Sequence, residues 1–191
     1  METLHFDLQE NATRFSLESQ LRMAFDTYAD DLSVDAYDID AAVQNAGIEN
    51  KNYCSLAEIN EAIDGFVGVS DRVCEDMRAI YLVLAEAEAA VHGVSVDKAR
   101  FHEIGRAGGI RNALRICMMI EALDPEVITA TRVQTGYGRV QCEYGLLDIP
   151  APATAAILAR GVPTCIDRLE GERCTPTSAS IIFHFVEEFI W

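Results

Sequence analysis

The sequence predicts an α+β fold, a small mixed sheet packed by several helices, and three observations carry that prediction. One long segment keeps helical periodicity for more than twenty residues. Several short apolar runs are punctuated by Gly and Pro as strands and turns are. Half of the 191 residues are hydrophobic and 24% are charged, so the chain can bury a core that offsets its conformational entropy. This length fits one domain, taken as 1–191, with residues 1–50 as a small extra lobe.

Leu4 to Leu8 alternates and reads as an edge strand, followed by a helix from Leu17 to Tyr28 capped by Ser16. Leu32 to Ile39 reads as a strand and Ala41 to Ala46 as a short helix. Ser55-Leu-Ala-Glu58 is a capping box that opens a helix ending near Gly65. From Ser70 the apolar positions Val73, Met77, Ile80, Leu84, Ala87 and Val91 recur at steps of four and three, which places them on one helix face as far as His92-Gly93.

Arg100 to Ile104 reads as a short strand running into Gly105, and an apolar helix from Ile110 to Leu123 is stopped by Asp124-Pro125. Val127 to Val133 and Arg139 to Glu143 flank Gly136-Tyr137-Gly138, the pattern of a hairpin or a sharp reversal between strands, where the sheet is expected to centre. Pro150-Ala151-Pro152 breaks that pattern, Ala153 to Arg160 is a small-residue helix, and Ser178 to Trp191 reads as an apolar helix that caps the core.

Fifteen basic residues against 31 acidic ones leave a net charge of -16, which repels phosphate backbones and anionic bilayers, so neither nucleic acid nor membrane is expected as a partner. The apolar runs are too short to span a bilayer and Met1-Glu2-Thr3 lacks a basic signal-peptide start, which reads as a cytoplasmic protein. The six cysteines form no C-x-x-C pair and read as free thiols. Cys74 and Cys117 fall in helical patterns, while Cys142, Cys165 and Cys174 stand where soft-metal binding is also open to them.

Three segments could carry chemistry. In His102-Glu103-Ile104-Gly105-Arg106-Ala107-Gly108-Gly109-Ile110-Arg111, the glycines let backbone amides converge on an oxyanion, and Arg106 or Arg111 could fork onto a phosphate. A plain strand-to-helix turn with solvated arginines fits the same residues. His102 or Glu103 could bind a metal, although as neighbours in a strand they point to opposite faces. Gly136 and Gly138 permit a ligand to approach the backbone closely or form a structural corner. Thr175 and Thr177 stand at a helix start, where they hold an anion or cap the helix.

These segments together resemble the nickel-insertion family, the LarC proteins. The resemblance rests on Leu84-Ala-Glu-Ala-Glu-Ala-Ala-Val-His-Gly93, Phe101-His-Glu-Ile-Gly105, Gly136-Tyr-Gly138, Ile149-Pro-Ala-Pro-Ala-Thr154, Gly161-Val-Pro163, Glu170-Gly-Glu172 and Thr175-Pro-Thr177, in that order, over about residues 52 to 188. It implies nickel loading of a phosphorylated pyridinium cofactor bearing two thiocarboxylates, used by lactate racemase, in a CTP-consuming reaction. In that family the nickel is captured by the substrate's sulfurs and a ring carbon, and the glycine and arginine turn suits the substrate phosphate. The candidate ligand and phosphate residues are therefore Gly105, Arg106, Gly108, Gly109, Arg111, Gly136, Gly138, Thr175 and Thr177, with His102 or Glu103 as candidate metal ligands.

The chain departs from the family's pattern in several places. An acidic pair is usual at the positions of Gly108 and Asn112, an imidazole at Tyr144, and a glycine-rich opening motif where Leu8 to Phe15 stands. The carboxy-terminal domain tied to CTP and manganese is not expected in this chain, so those two are expected on a separate CTP-binding protein. A divergent relative that binds a small molecule without completing catalysis is the alternative, as is a scaffold whose Phe189-Ile190-Trp191 tail buries itself in a second copy or against its own core.

Overall fold

Strand alternation and helix capping determine where the first elements begin. The computed structural model describes residues 1–101, 105–142 and 145–190. Strand β1, Thr3–Phe6, turns Leu4 and Phe6 into the core and leaves Thr3 and His5 exposed. Helix α1 spans Arg14–Tyr28 and buries Leu17, Leu21 and Phe25. Its start is Thr13, whose hydroxyl accepts the Ser16 N–H at 3.4 Å, so Ser16 lies inside the helix it was expected to cap.

The predicted strand Leu32–Ile39 does not form. Helix α2 runs Ala36–Asn45 instead, opened by Asp35 and Asp38, each side chain accepting the other's backbone N–H. The aspartates that interrupt an alternating pattern are therefore a capping box. Helix α3, Leu56–Asp64, follows the prediction. Ser55 accepts the Glu58 N–H, while the Glu58 carboxylate turns back to the N–H of Cys54.

Helix α4, Asp71–His92, is capped by Ser70 and closed by Gly93 at φ 65. Val73, Met77, Ile80, Leu84 and Ala87 are buried as their spacing requires, but Val91, past the edge of the core, is 39% exposed. Helix α5, Ala107–Leu123, begins earlier than predicted, because Gly108 and Gly109 adopt the first helical turn. Arg100 and Phe101 are not in a strand, and the rest of the predicted strand lies outside the described residues.

The expected pairing across Gly136-Tyr137-Gly138 is replaced by a different one. Strand β2, Val127–Ala130, lies between β1 and the final strand β6, Glu188–Phe189, in a parallel sheet. Strand β3, Gly136–Cys142, pairs antiparallel with β4, Gly145–Ile149, and with β5, Gly171–Glu172. The chain leaves the first sheet after Ala130. There Val133 donates to the Pro163 carbonyl at 2.9 Å, and the Gln134 amide donates to the carbonyls of Gln9 and Asp167. The α+β class holds, with the strands of the described residues divided between two three-stranded sheets.

Helix α6, Pro152–Leu158, and helix α7, Pro176–Phe185, complete the molecule. The predicted Ser178–Trp191 helix ends at Phe185 because the next residues add a strand. Glu187 N–H donates to Ile128 O at 2.9 Å and Ile190 N–H to Ala130 O at 2.8 Å. Helix α4 packs on α3, α5, α6 and α7, and one buried cluster runs from Leu4 and Leu17 through Tyr81 and Leu84 to Ile181. Residues from the first fifty thus enter the same core. No helix among the described residues is long and apolar enough to cross a membrane.

Candidate functional site

The start of α5 carries most of the residues singled out in the sequence. Gly105 sits where backbone crosses backbone: Tyr53 N–H donates to its carbonyl at 2.8 Å, and a Cβ at Gly105 would lie 1.8 Å from the Tyr53 oxygen. Arg106 is exposed and offers the helix no side-chain cap, and no acidic residue stands in the first turn. Gly109 is buried, whereas Gly108 is exposed with open space where a Cβ would point. A helix of 17 residues therefore begins with no carboxylate in its own first turn to compete for its positive end. Arg111 turns away from that end and donates to the Ile48 carbonyl at 2.6 Å, fastening the segment after α2 to α5.

Gly136 is packed by the segment that leads to α7. Gly136 has φ 78 and packs against the Gly171 carbonyl and Arg173, and Arg173 N–H donates to Thr135 O. Thr175 caps α7 in a reciprocal box with Ser178, while Thr177 is buried in the first turn. Gly138, at φ 115, has open space around it. His102, Glu103 and Tyr144 lie outside the described residues.

The thiols near these segments are held protonated. Burial raises the Cys174 pKa to about 12, with Ser178 Oγ 3.7 Å from its sulfur, and burial raises Cys165, whose Sγ lies 3.5 Å from the Arg132 carbonyl. A soft metal needs thiolate, so burial works against these two as ligands. Among the described residues no group of three His, Cys, Asp or Glu side chains is placed to hold a metal ion.

A cleft of about 630 Å³ lies between α1, α2 and α5. Its floor carries a ring of alternating charges. Arg22 donates to Glu18 at 3.1 Å and to Asp40 at 3.0 Å; Arg115 Nε donates to Asp40 at 2.6 Å; Asn112 Nδ2 donates to Glu18 Oε2 at 3.0 Å. Burial pushes the Asp40 carboxyl up, but hydrogen bonds from Arg115 and Arg22, with their charges, outweigh it and hold the group below its ordinary value. Phe15, 64% exposed, forms part of the wall. Sequence reasoning missed Phe15, Glu18, Arg22, Asp40 and Arg115. The only local signal was Glu18 and Arg22 at i and i+4.

The profile described as nickel insertion protein matches residues 4–190. The chain belongs to the nickel insertion protein family. A relative from Citrifermentans bemidjiense, provisionally named a nickel insertion protein, is 39% identical over 140 residues, covering 73% of this chain and 35% of its own. Two relatives named pyridinium-3,5-bisthiocarboxylic acid mononucleotide nickel insertion protein are each 37% identical. The one from Clostridium kluyveri matches 63% of this chain and 30% of its own length, and the one from Clostridium acetobutylicum 70% and 31%. The chain thus spans about a third of the length of these curated relatives. No solved structure matches it.

Proposed function

We propose that this chain is a module of a nickel-insertion protein that binds a phosphorylated pyridinium compound while nickel is delivered to that compound's sulfur groups. Nickel is the cargo here, and the cofactor matured is that of lactate racemase. The observation that carries the reading is the open start of α5. In a chain of this family, no side chain among the described residues caps that helix, and Gly108 leaves room for an oxyanion to reach backbone N–H groups. Arg106 stands beside it to add charge. The step that consumes CTP, and manganese with it, is assigned to a different domain or polypeptide.

The test is calorimetric titration of the purified chain with nicotinic acid mononucleotide, and with the corresponding riboside that lacks the phosphate. Sub-millimolar binding of the mononucleotide, with the riboside at least tenfold weaker and Arg106→Ala reducing the difference, is the expected result. Equal binding of both, or binding of neither, overturns the reading. A second reading, a divergent relative that binds the compound without completing insertion, is favoured by Asn112, an amide at a position where the family resemblance implies an acid. Nickel transfer to the thiolated compound, assayed with the CTP-dependent partner present, separates the two.

A further inference from the structure

The compound for which the two clostridial relatives are named is a flat cationic ring with an acid group on either side and a phosphate at the far end of a ribose. Such a ligand asks for three things in a row: an anion site, an aromatic or apolar wall, and donors for two acid groups. Gly108, Asn112 and Arg115 stand at i, i+4 and i+7, so they share one face of α5. At about 1.5 Å per residue, the seven steps from Gly108 to Arg115 span roughly 10 Å, the reach of a mononucleotide from phosphate to ring substituent.

We infer that the cleft between α1, α2 and α5 is the seat of the pyridinium ring, with Phe15 as the wall and Arg22 and Arg115 facing the ring's two acid groups. The inference rests on the proposed binding of a pyridinium mononucleotide and adds where the ring lies. Phe15 is one turn before Glu18, and Glu18 is bonded to Asn112, so the aromatic side chain belongs to the end of the cleft nearer the start of α5. Arg14 covers one side of the Phe15 ring at 4.8 Å, and the ring still remains 64% exposed. Each guanidinium has five N–H donors in a fixed fork. Arg22 spends Nε and Nη2 on Glu18 and Asp40, while Arg115 spends Nε on Asp40 and has Nη1 3.8 Å from Glu18, too long for a hydrogen bond, which leaves its Nη2 and the Nη1 of Arg22 uncommitted. Both can therefore accept a further carboxylate-like group without releasing the first.

Glu18 is the element that sets the sign of the test. Its carboxylate neutralises Arg22 and repels an incoming acid group, so removing its charge should help the ligand and harm only the packing. A ring of charges that merely ties three helices together predicts no such gain.

The experiment titrates nicotinic acid mononucleotide into the wild-type chain, Phe15→Ala, Phe15→Trp and Glu18→Gln, with circular dichroism showing that each is folded. Loss of a cation–π wall weakens Phe15→Ala by about tenfold. Phe15→Trp retains wild-type affinity and its indole fluorescence is quenched on contact with the pyridinium ring, whereas Glu18→Gln tightens binding by roughly threefold to tenfold. If wild type binds in a phosphate-dependent way while Phe15→Ala binds equally well and Phe15→Trp is not quenched, the cleft is overturned and the functional reading stands. If wild type does not bind, the functional reading itself fails.

Discussion

Two glycines three residues apart in the motif before α5 should respond to the same substitution with opposite signs. At Gly105 an added methyl would lie 1.8 Å from the Tyr53 oxygen and must be relieved by backbone, because nothing flexible stands in the way. Reaching even a 3.0 Å contact means a retreat of about 1.2 Å, the difference between those two distances. That shift breaks the 2.8 Å bond from Tyr53 N–H to the Gly105 carbonyl and strains the neighbouring 2.9 Å bond from Phe101 N–H to Cys54. Overpacking costs about 1–3 kcal/mol and a lost bond about 0.5–1.5 kcal/mol, so Gly105→Ala should destabilise by roughly 2–4 kcal/mol. At Gly108 nothing lies within 4 Å of the new methyl, the residue is helical, and Gly108→Ala should stabilise by about 0.4–1 kcal/mol through the unfolded chain. With a urea slope of about 2 kcal/mol/M, the two variants should differ by roughly 1.2–2.5 M in midpoint. Urea denaturation followed by far-ultraviolet circular dichroism measures this directly. A neutral Gly105→Ala, or a Gly108→Ala as damaging as Gly105→Ala, would show that the crossing of Tyr53 and Gly105 is not what the glycine is there for.

The Asp40 pairing should set part of the acid sensitivity. Its folded pKa is depressed, so the stability it contributes is fully present above the unfolded value of 3.8 and is lost as pH falls through the lower folded value. Asp40→Asn should therefore be less stable than wild type at about pH 6 and converge with it by about pH 2; a gap unchanged across that range refutes the pairing. At the other end of the chain, Ile190→Pro removes the N–H that donates to Ala130 at 2.8 Å and should cost about 1–2 kcal/mol, or roughly 2–8 °C in Tm, whereas Ile190→Val should cost less. A melting temperature unmoved by the proline would mean that β6 adds nothing to the sheet.

Helix α4 was legible because its cap, its 3.6-residue period and its closing glycine are all local and agree. Helix α2 was misjudged for the opposite reason: Asp35 and Asp38 carry two kinds of information, and as interruptions of a strand they hide what they are as a cap. The glycines before α5 are likewise ambiguous, since a turn and the first turn of a helix share the same residues. Strand β6 pairs with Val127–Ala130, and no periodicity within Ser178–Trp191 can reveal an acceptor that distant in sequence. The cleft was invisible for the same reason. Its charges come from Glu18, Arg22, Asp40 and Arg115, and only the fold makes them neighbours.

That last point bears on what the missing acids mean. Set beside the acidic pair that the family resemblance implies, Asn112 stands as an amide where a carboxylate is expected, which by itself argues against chemistry in the site. In three dimensions a carboxylate is still present, because Glu18 Oε2 accepts the Asn112 amide at 3.0 Å. An aspartate at this position would face the Glu18 charge at that distance, so that the pair would have to share a proton or divide the charges of Arg22 and Arg115 between them. The acid at this point of the cleft is thus supplied from α1, with an amide rather than a second acid on α5 to hold it. An uncharged partner at Asn112 is what lets Glu18 remain half-buried beside Arg22 and Arg115 with its hydrogen bonds satisfied. Asn112→Asp is accordingly expected to disturb the ring of charges and lower the melting temperature at neutral pH, with a smaller loss below about pH 4, where the added carboxyl is protonated; an unchanged melting temperature refutes the role given to the Asn112 amide.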